Sequence, residues 1–129
     1  MPESSEPLLL SIHHASVLVA DLPRALEFYC GILGLEIDQR RPAMPFPGAW
    51  LTVGEHQQIH LLQLPNPDSA EGRPEHGGRD RHTAFMVRDL ARLQTRLEAA
   101  GVSFTRSASG RAAIFCRDPD ANALELIQG

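Results

Sequence analysis

Three histidines and one glutamate fall at matching positions in the two halves of this chain, and such a set of nitrogen and oxygen donors can hold a metal. When His14-Ala-Ser-Val-Leu-Val-Ala-Asp21-Leu22 is set over His82-Thr-Ala-Phe-Met-Val-Arg-Asp89-Leu90, histidine meets histidine and Asp-Leu meets Asp-Leu at the same distance. Each half closes on a similar run, Ile59-His60-Leu61-Leu62-Gln63 and Leu124-Glu125-Leu126-Ile127-Gln128, which lays His60 over Glu125. Self-similarity of this kind marks a duplicated structural unit. Imidazoles with a carboxylate suit a divalent ion such as Zn, Ni, Mn or Fe, one per site. His14, His60, His82 and Glu125 are therefore the expected metal ligands.

Each of these residues also has a plainer role open to it. A single strand histidine is commonly a surface or hydrogen-bonded residue. What weighs for a site is the repetition, together with Glu125 being the one acid in an otherwise apolar closing run, where a charge is costly unless paired or bound to a cation. His13, adjacent to His14 but on the other face, competes for the role. His56 and His76 lie in turn-like segments and are expected to be solvated. Cys30 and Cys116 form no Cys-x-x-Cys pair, which leaves them as small hydrophobes in the packing.

The elements that position these residues follow from periodicity. Ile12 to Ala20 alternates as a strand, with Ala15, Val17 and Val19 on one face and His14, Ser16 and Leu18 on the other. Asp21 is a good N-cap for a helix over about 22 to 33 that Gly34 ends. Strands are expected near 35 to 40, 49 to 53 and 57 to 64, so the first half reads βαβββ. Residues 65 to 79, rich in proline and glycine, read as a linker. The pattern then restarts with a strand near 80 to 88, an N-cap at Asp89, a helix with Leu90, Leu93, Leu97 and Ala100 on one stripe, and a stop at Gly101. Three strands near 102 to 106, 111 to 117 and 122 to 128 complete the second unit. Alternation places His14 and His82, and with them His60 and Glu125, on the side of the sheets away from the helices. The organisation expected is a flexible tail over 1–10 and a single domain over 11–129, with a first module at 11–64, the linker at 65–79 and a second module at 80–129.

Composition narrows the function. A net charge of -4 and no dense Lys/Arg run give no reason to expect a nucleic-acid partner. The N-terminal stretch has neither the basic segment nor the apolar length of a signal or a membrane span, so a cytoplasmic location is expected. A small molecule is the expected partner.

Val19-Ala-Asp-Leu-Pro-Arg-Ala-Leu-Glu-Phe-Tyr29, Gly31-Ile-Leu-Gly-Leu35, Arg81-His-Thr-Ala-Phe-Met-Val87 and Asp118-Pro-Asp-Ala-Asn-Ala-Leu-Glu-Leu126, taken with the doubled βαβββ pattern, resemble the vicinal oxygen chelate superfamily. That group includes glyoxalase I, extradiol dioxygenases, fosfomycin-resistance thiol transferases and bleomycin-binding proteins. The resemblance spans roughly residues 12 to 128. It implies an α+β fold in which two tandem βαβββ modules form a curved half-barrel cleft, the glyoxalase/bleomycin resistance/dihydroxybiphenyl dioxygenase-like fold. It also implies the ligand positions His14, His60, His82 and Glu125, and a homodimer whose sites lie at the interface.

The activity the resemblance implies first is that of a glyoxalase I-like lyase or isomerase, in which a divalent ion polarises two vicinal oxygens of a small substrate and stabilises an enediolate. Glu125 is then the expected proton carrier, with His60 as a ligand or an acid–base neighbour. The compact bacterial glyoxalase I usually has glutamate at the position of His60, and its glutathione-contacting arginine and asparagine correspond to Leu18 and Leu64, so the resemblance does not extend to these glutathione contacts. An Fe(II) extradiol-type dioxygenase using His14, His82 and Glu125 is a second reading. A fosfomycin-type thiol transferase is a third, with Arg111 and Arg117 as anion contacts. A non-enzymatic binding protein with Met44, Phe46, Trp50 and Phe115 around an apolar ligand is a fourth.

Overall fold

The computed structural model describes residues 5–129, so the first four residues of the expected tail lie outside the described residues. The first module runs β1 (His14–Leu18), α1 (Leu22–Leu26) continued by a π-helical turn (Glu27–Ile32), β2 (Glu36–Ile37), β3 (Gly48–Val53) and β4 (Gln57–Leu62). The second runs β5 (His82–Val87), α2 (Leu90–Ala99), β6 (Phe104–Arg106), β7 (Ala113–Arg117) and β8 (Ala123–Gln128). Each forms a four-stranded mixed sheet of the same order, β1-β4-β3-β2 and β5-β8-β7-β6. The first and last strands of each module pair in parallel, and the other pairs are antiparallel.

The duplication holds to the register. Ser16 lies opposite His60 as Ala84 lies opposite Glu125, and Trp50 opposes His60 as Phe115 opposes Glu125. Helix starts are doubled too. Asp21 and Asp89 accept from the backbone N–H groups of Arg24 and Arg92 at 3.2 and 3.0 Å, satisfying donors the helix leaves open. The amide oxygens of Gln63 and Gln128 accept from the N–H of Leu22 and Leu90, each at 2.8 Å. The closing strand of each module thus fixes the entry of its own helix.

The core lies between the sheets and the helices and includes Val19, Tyr29, Leu51, Leu61, Leu97, Ile114, Leu124 and Leu126. Leu90, Leu93 and Leu97 are buried as the stripe requires, while Ala100 is exposed at the C-terminal end of α2. Gly34 and Gly101 end the helices at φ of +80° and +73°, a conformation that a Cβ disfavours. The second strand is shorter than expected because Asp38 turns its carboxylate onto the N–H of Arg40 at 3.0 Å and ends the ladder. Cys116 is buried in the core, where desolvation pushes its thiol up to about 12, and Cys30 is half-buried.

The modules are tied together by the turn before β8. The Asp118 carboxylate accepts from Tyr29 Oη at 2.7 Å, Asn122 Nδ2 at 2.9 Å and the N–H groups of Asp120 and Asn122. Asn122 also donates to the Leu18 carbonyl, and the Ala20 N–H donates to Asp120. Burial raises both the Asp118 carboxyl and the Tyr29 phenol above their ordinary values. Ala121 occupies this turn at φ +68°, which costs a residue with a Cβ.

Candidate metal centre

The structure brings the four expected ligands together as two pairs. On the second module, Nε2 of His82 lies 3.2 Å from Oε1 of Glu125, and Nδ1 of the same ring lies 2.9 Å from the Asp80 carbonyl. That carbonyl can only accept, so Nδ1 carries a proton, and Nε2 is the nitrogen that faces the carboxylate. A shared cation or a second ring proton makes that contact favourable. Two donors sharing one divalent ion at about 2.1 Å lie roughly 3.0–3.4 Å apart in octahedral or tetrahedral geometry. The separation found fits that edge. Glu125 is 3% exposed, and its other oxygen, Oε2, accepts from Nη2 of Arg111 at 2.9 Å. Phe115 meets His82 edge-on at 5.1 Å.

On the first module, His14 and His60 stack with ring centroids 3.9 Å apart and planes 11° from parallel, and Trp50 stacks on the other face of His60 at 4.7 Å. His60 Nε2 lies 2.8 Å from Oε1 of Gln58, whose Nε2 donates to Asp38 Oδ2 at 2.7 Å. Asp38 in turn accepts from Arg40 Nε and Nη2, each at 2.9 Å. Because the Asp38 carboxylate can only accept, the Gln58 amide is oriented with its oxygen toward His60, and Nε2 of His60 is the donor. The lone pair of that ring is therefore on Nδ1. Burial, with His14, His13 and Arg41 nearby, lowers the His60 pKa and keeps the ring neutral at neutral pH. The Arg40 bonds hold the Asp38 carboxyl well below the usual range. His13 Nδ1 lies 2.8 Å from His14 Nδ1, so it is a neighbour of that expected ligand.

Among the described residues, no three His, Cys, Asp or Glu side chains gather in a geometry that could hold a metal ion. The strands explain the separation. The Leu18 carbonyl at the end of β1 meets Asn122, next to Ala123, which is in register with His82. His14 stands at the start of β1, four residues or roughly 13 Å back along the strand. The two pairs therefore lie apart, one on each module.

Other expectations take different forms in the structure. Arg117 is no anion contact: Nη1 donates to Asp80 Oδ2 and to the Ala121 carbonyl, each at 2.8 Å, and Nη2 donates to the Pro74 carbonyl. These contacts tie the strand to the linker at Pro74, to Asp80 and to the turn at Ala121. His76 is not simply solvated, since Nδ1 lies 2.7 Å from Thr105 Oγ1 and the ring meets Phe115 edge-on at 4.8 Å. His56 is exposed beside Glu55, as its turn position suggests. Of the apolar residues considered for a pocket, Trp50 and Phe115 flank the histidines, while Phe46 lies under the Arg41 guanidinium at 5.5 Å. Gln58 and Asp38 carried no signal in the sequence beyond their polarity and the place of Gln58 two residues before His60, and the side-chain geometry shows that Gln58 reaches that ring.

A doubled βαβββ architecture with a histidine pair on one module and a histidine–glutamate pair on the other defines a protein of the cupped, duplicated-module class. The chain belongs to the Glyoxalase/Bleomycin resistance protein/Dioxygenase superfamily, whose model matches residues 11–126. It is similar to glyoxylase I 4 of Arabidopsis thaliana, with 29% identity over 130 residues that span 96% of this chain and 74% of that protein. Similarity to the glutathione transferase FosA of Serratia marcescens is 31% over 125 residues, covering 95% of this chain and 83% of the relative. The fold is also that of the Leishmania major glyoxalase I structure, at a TM-score of 0.71 and 24% identity over 93% of this chain and 87% of that one. No helix among the described residues is long and apolar enough to cross a membrane.

Proposed function

We propose that this chain is a divalent-metal-dependent enzyme of glyoxalase I-like lyase or isomerase type, and that two copies combine so that His14 and His60 of one chain face His82 and Glu125 of the other. The observation that supports the reading is the 3.2 Å separation of His82 Nε2 and Glu125 Oε1, which matches the edge between two ligands of one divalent ion. Relatives named as glyoxylase and as glutathione transferase support an enzyme. A bound ion would supply Lewis acidity toward two vicinal oxygens of a small substrate.

The chain's own residues supply the rest. Glu125 is the proton carrier, because it is the carboxylate at the site and its two oxygens can be shared between a ligand bond and a substrate C–H. Its burial on β8 fixes its position. His60 presents Nδ1 as a ligand or proton acceptor while Gln58 holds the opposite nitrogen, so the ring cannot turn freely. Trp50 and Phe115 form apolar walls beside the two pairs and limit water around them.

Metal analysis of anaerobically prepared protein, combined with hemithioacetal isomerisation and catechol-dependent oxygen uptake, tests the reading. Stoichiometric, chelator-removable metal with isomerisation is the expected result. Oxygen uptake without isomerisation overturns it in favour of a dioxygenase, and tight apolar-ligand binding indifferent to chelator overturns it in favour of a binding protein.

A further inference from the structure

Leu8, Leu9 and Leu10 are 93%, 90% and 92% exposed, and Ile12 is 71% exposed. Single apolar side chains scattered over a surface need no account, but several in consecutive residues form a patch, and such patches mark contact surfaces. The same chain holds a groove of matching chemistry. It has a volume of about 480 Å3 and lies where the modules meet, lined by Leu33 and Leu35 after the π-helical turn, Val53 at the end of β3, Phe85 on β5 and Leu93 on α2. Leu33, Leu35, Val53 and Phe85 are only half-buried, so its floor keeps apolar surface open.

The rim of the groove is basic. Arg88, Arg92 and Arg96 recur at every fourth residue, which sets them along one side of α2 and its approach. Asp89, the acid that lines the groove with them, has its carboxylate turned to the N–H of Arg92. The N-terminal segment is complementary in both respects, because Glu3 and Glu6 precede its leucines and no lysine or arginine comes before Ile12. Opposite charge then favours the docking that the apolar area drives.

The exposure of Leu8, Leu9 and Leu10 shows that the segment does not fill the groove of its own chain. Met86 indicates whose groove it fills. This side chain lines the groove, is 70% exposed and, by alternation along β5, shares the face of His82, over which the second copy sits in the arrangement proposed above. The groove therefore runs into that surface. A two-fold axis makes any such contact reciprocal, one segment and one groove from each chain.

Resting on that two-copy reading, we infer that residues 6–12 of each chain lie in the groove between Leu35 and Leu93 of a second copy, with the leucines on its apolar floor and the acidic end of the segment along its arginine rim.

Sedimentation equilibrium of the full chain tests this, beside a Leu8→Ser, Leu9→Ser, Leu10→Ser variant, an Arg88→Glu, Arg92→Glu variant and the two sets combined. The leucine variant should raise the Kd of the dimer by about a hundredfold or more, and the arginine variant by about tenfold. The combined variant should be no weaker than the leucine variant, because a segment already undocked has no contact left to lose. All the substituted side chains are exposed, so circular dichroism spectra should match the parent and exclude unfolding as a cause. In a mixture of 13C-labelled and unlabelled parent chains, isotope-filtered NOEs should join the methyl groups of Leu8, Leu9 and Leu10 to the Phe85 ring across copies. A dimer whose Kd the variants leave unchanged overturns the proposal while the shared metal centre stands. NOEs to Phe85 confined within one chain overturn it too. A parent chain that stays monomeric at millimolar concentration overturns this contact and the two-copy centre together.

Discussion

His82 Nε2 and Glu125 Oε1 face each other across 3.2 Å, while the other nitrogen of the ring donates to the Asp80 carbonyl. In the proposed centre a shared cation joins this pair. It follows that His82→Ala and Glu125→Ala should each abolish most metal uptake while leaving the fold in place, since His82 stands on the concave face rather than in the core. Metal content per chain, read beside circular dichroism, checks this. Full metal retention by both variants would refute the assignment.

The Asp38–Gln58–His60 chain fixes which nitrogen of His60 carries the proton. Gln58→Leu removes the acceptor at Nε2 and should convert a single tautomer into a mixture. The 15N chemical shifts of the His60 ring report this directly. The variant should also bind metal roughly 10- to 100-fold more weakly if His60 is a ligand, the usual effect of losing a partner that orients a metal-binding histidine.

Two substitutions in the turn that joins the modules should act in opposite directions. Tyr29→Phe leaves a buried oxygen of Asp118 short of a donor and should destabilise the chain by about 1–3 kcal/mol. Ala121→Gly relieves a φ of +68° and should stabilise it by about 0.5–1 kcal/mol. Denaturant midpoints measured for both proteins check the signs.

Acid should weaken the linker anchor. The Arg117 hydrogen bond first, then the Arg81 backbone and the nearby Arg73 charge, lower the Asp80 pKa in the folded chain. A depressed carboxyl contributes stability that is complete above its unfolded value, about 3.9, and is lost as pH falls through the folded value. The melting-temperature gap between the parent and Asp80→Asn should therefore be largest near neutrality and close progressively below about pH 4. A gap that widens in acid would reverse the sign.

Much of this molecule was legible in the amino-acid pattern because duplication doubles every signal. The caps at Asp21 and Asp89, the stops at Gly34 and Gly101 and the outward parity of His14 and His82 each have a counterpart in the other half, and local chemistry fixes them. What the pattern could not show was reach. Whether Arg117 meets substrate or linker depends on where Pro74 and Asp80 pass, which is a tertiary fact. Alternation along β4 already puts Gln58 on the face of His60, but its contact with that ring and with Asp38 is a matter of side-chain geometry. The separation of His14 and His60 from His82 and Glu125 likewise depends on how the modules dock through Asn122 and Leu18.

The most direct test of the central proposal is complementation. One variant lacks the first pair, His14→Ala with His60→Ala, and the other lacks the second, His82→Ala with Glu125→Ala. Neither should hold metal alone. If two chains build each centre, unfolding and refolding them as an equal mixture should restore about a quarter of the parental metal, through random pairing into dimers with one intact site. No recovery from a mixture shown to contain mixed dimers would contradict a centre shared between chains.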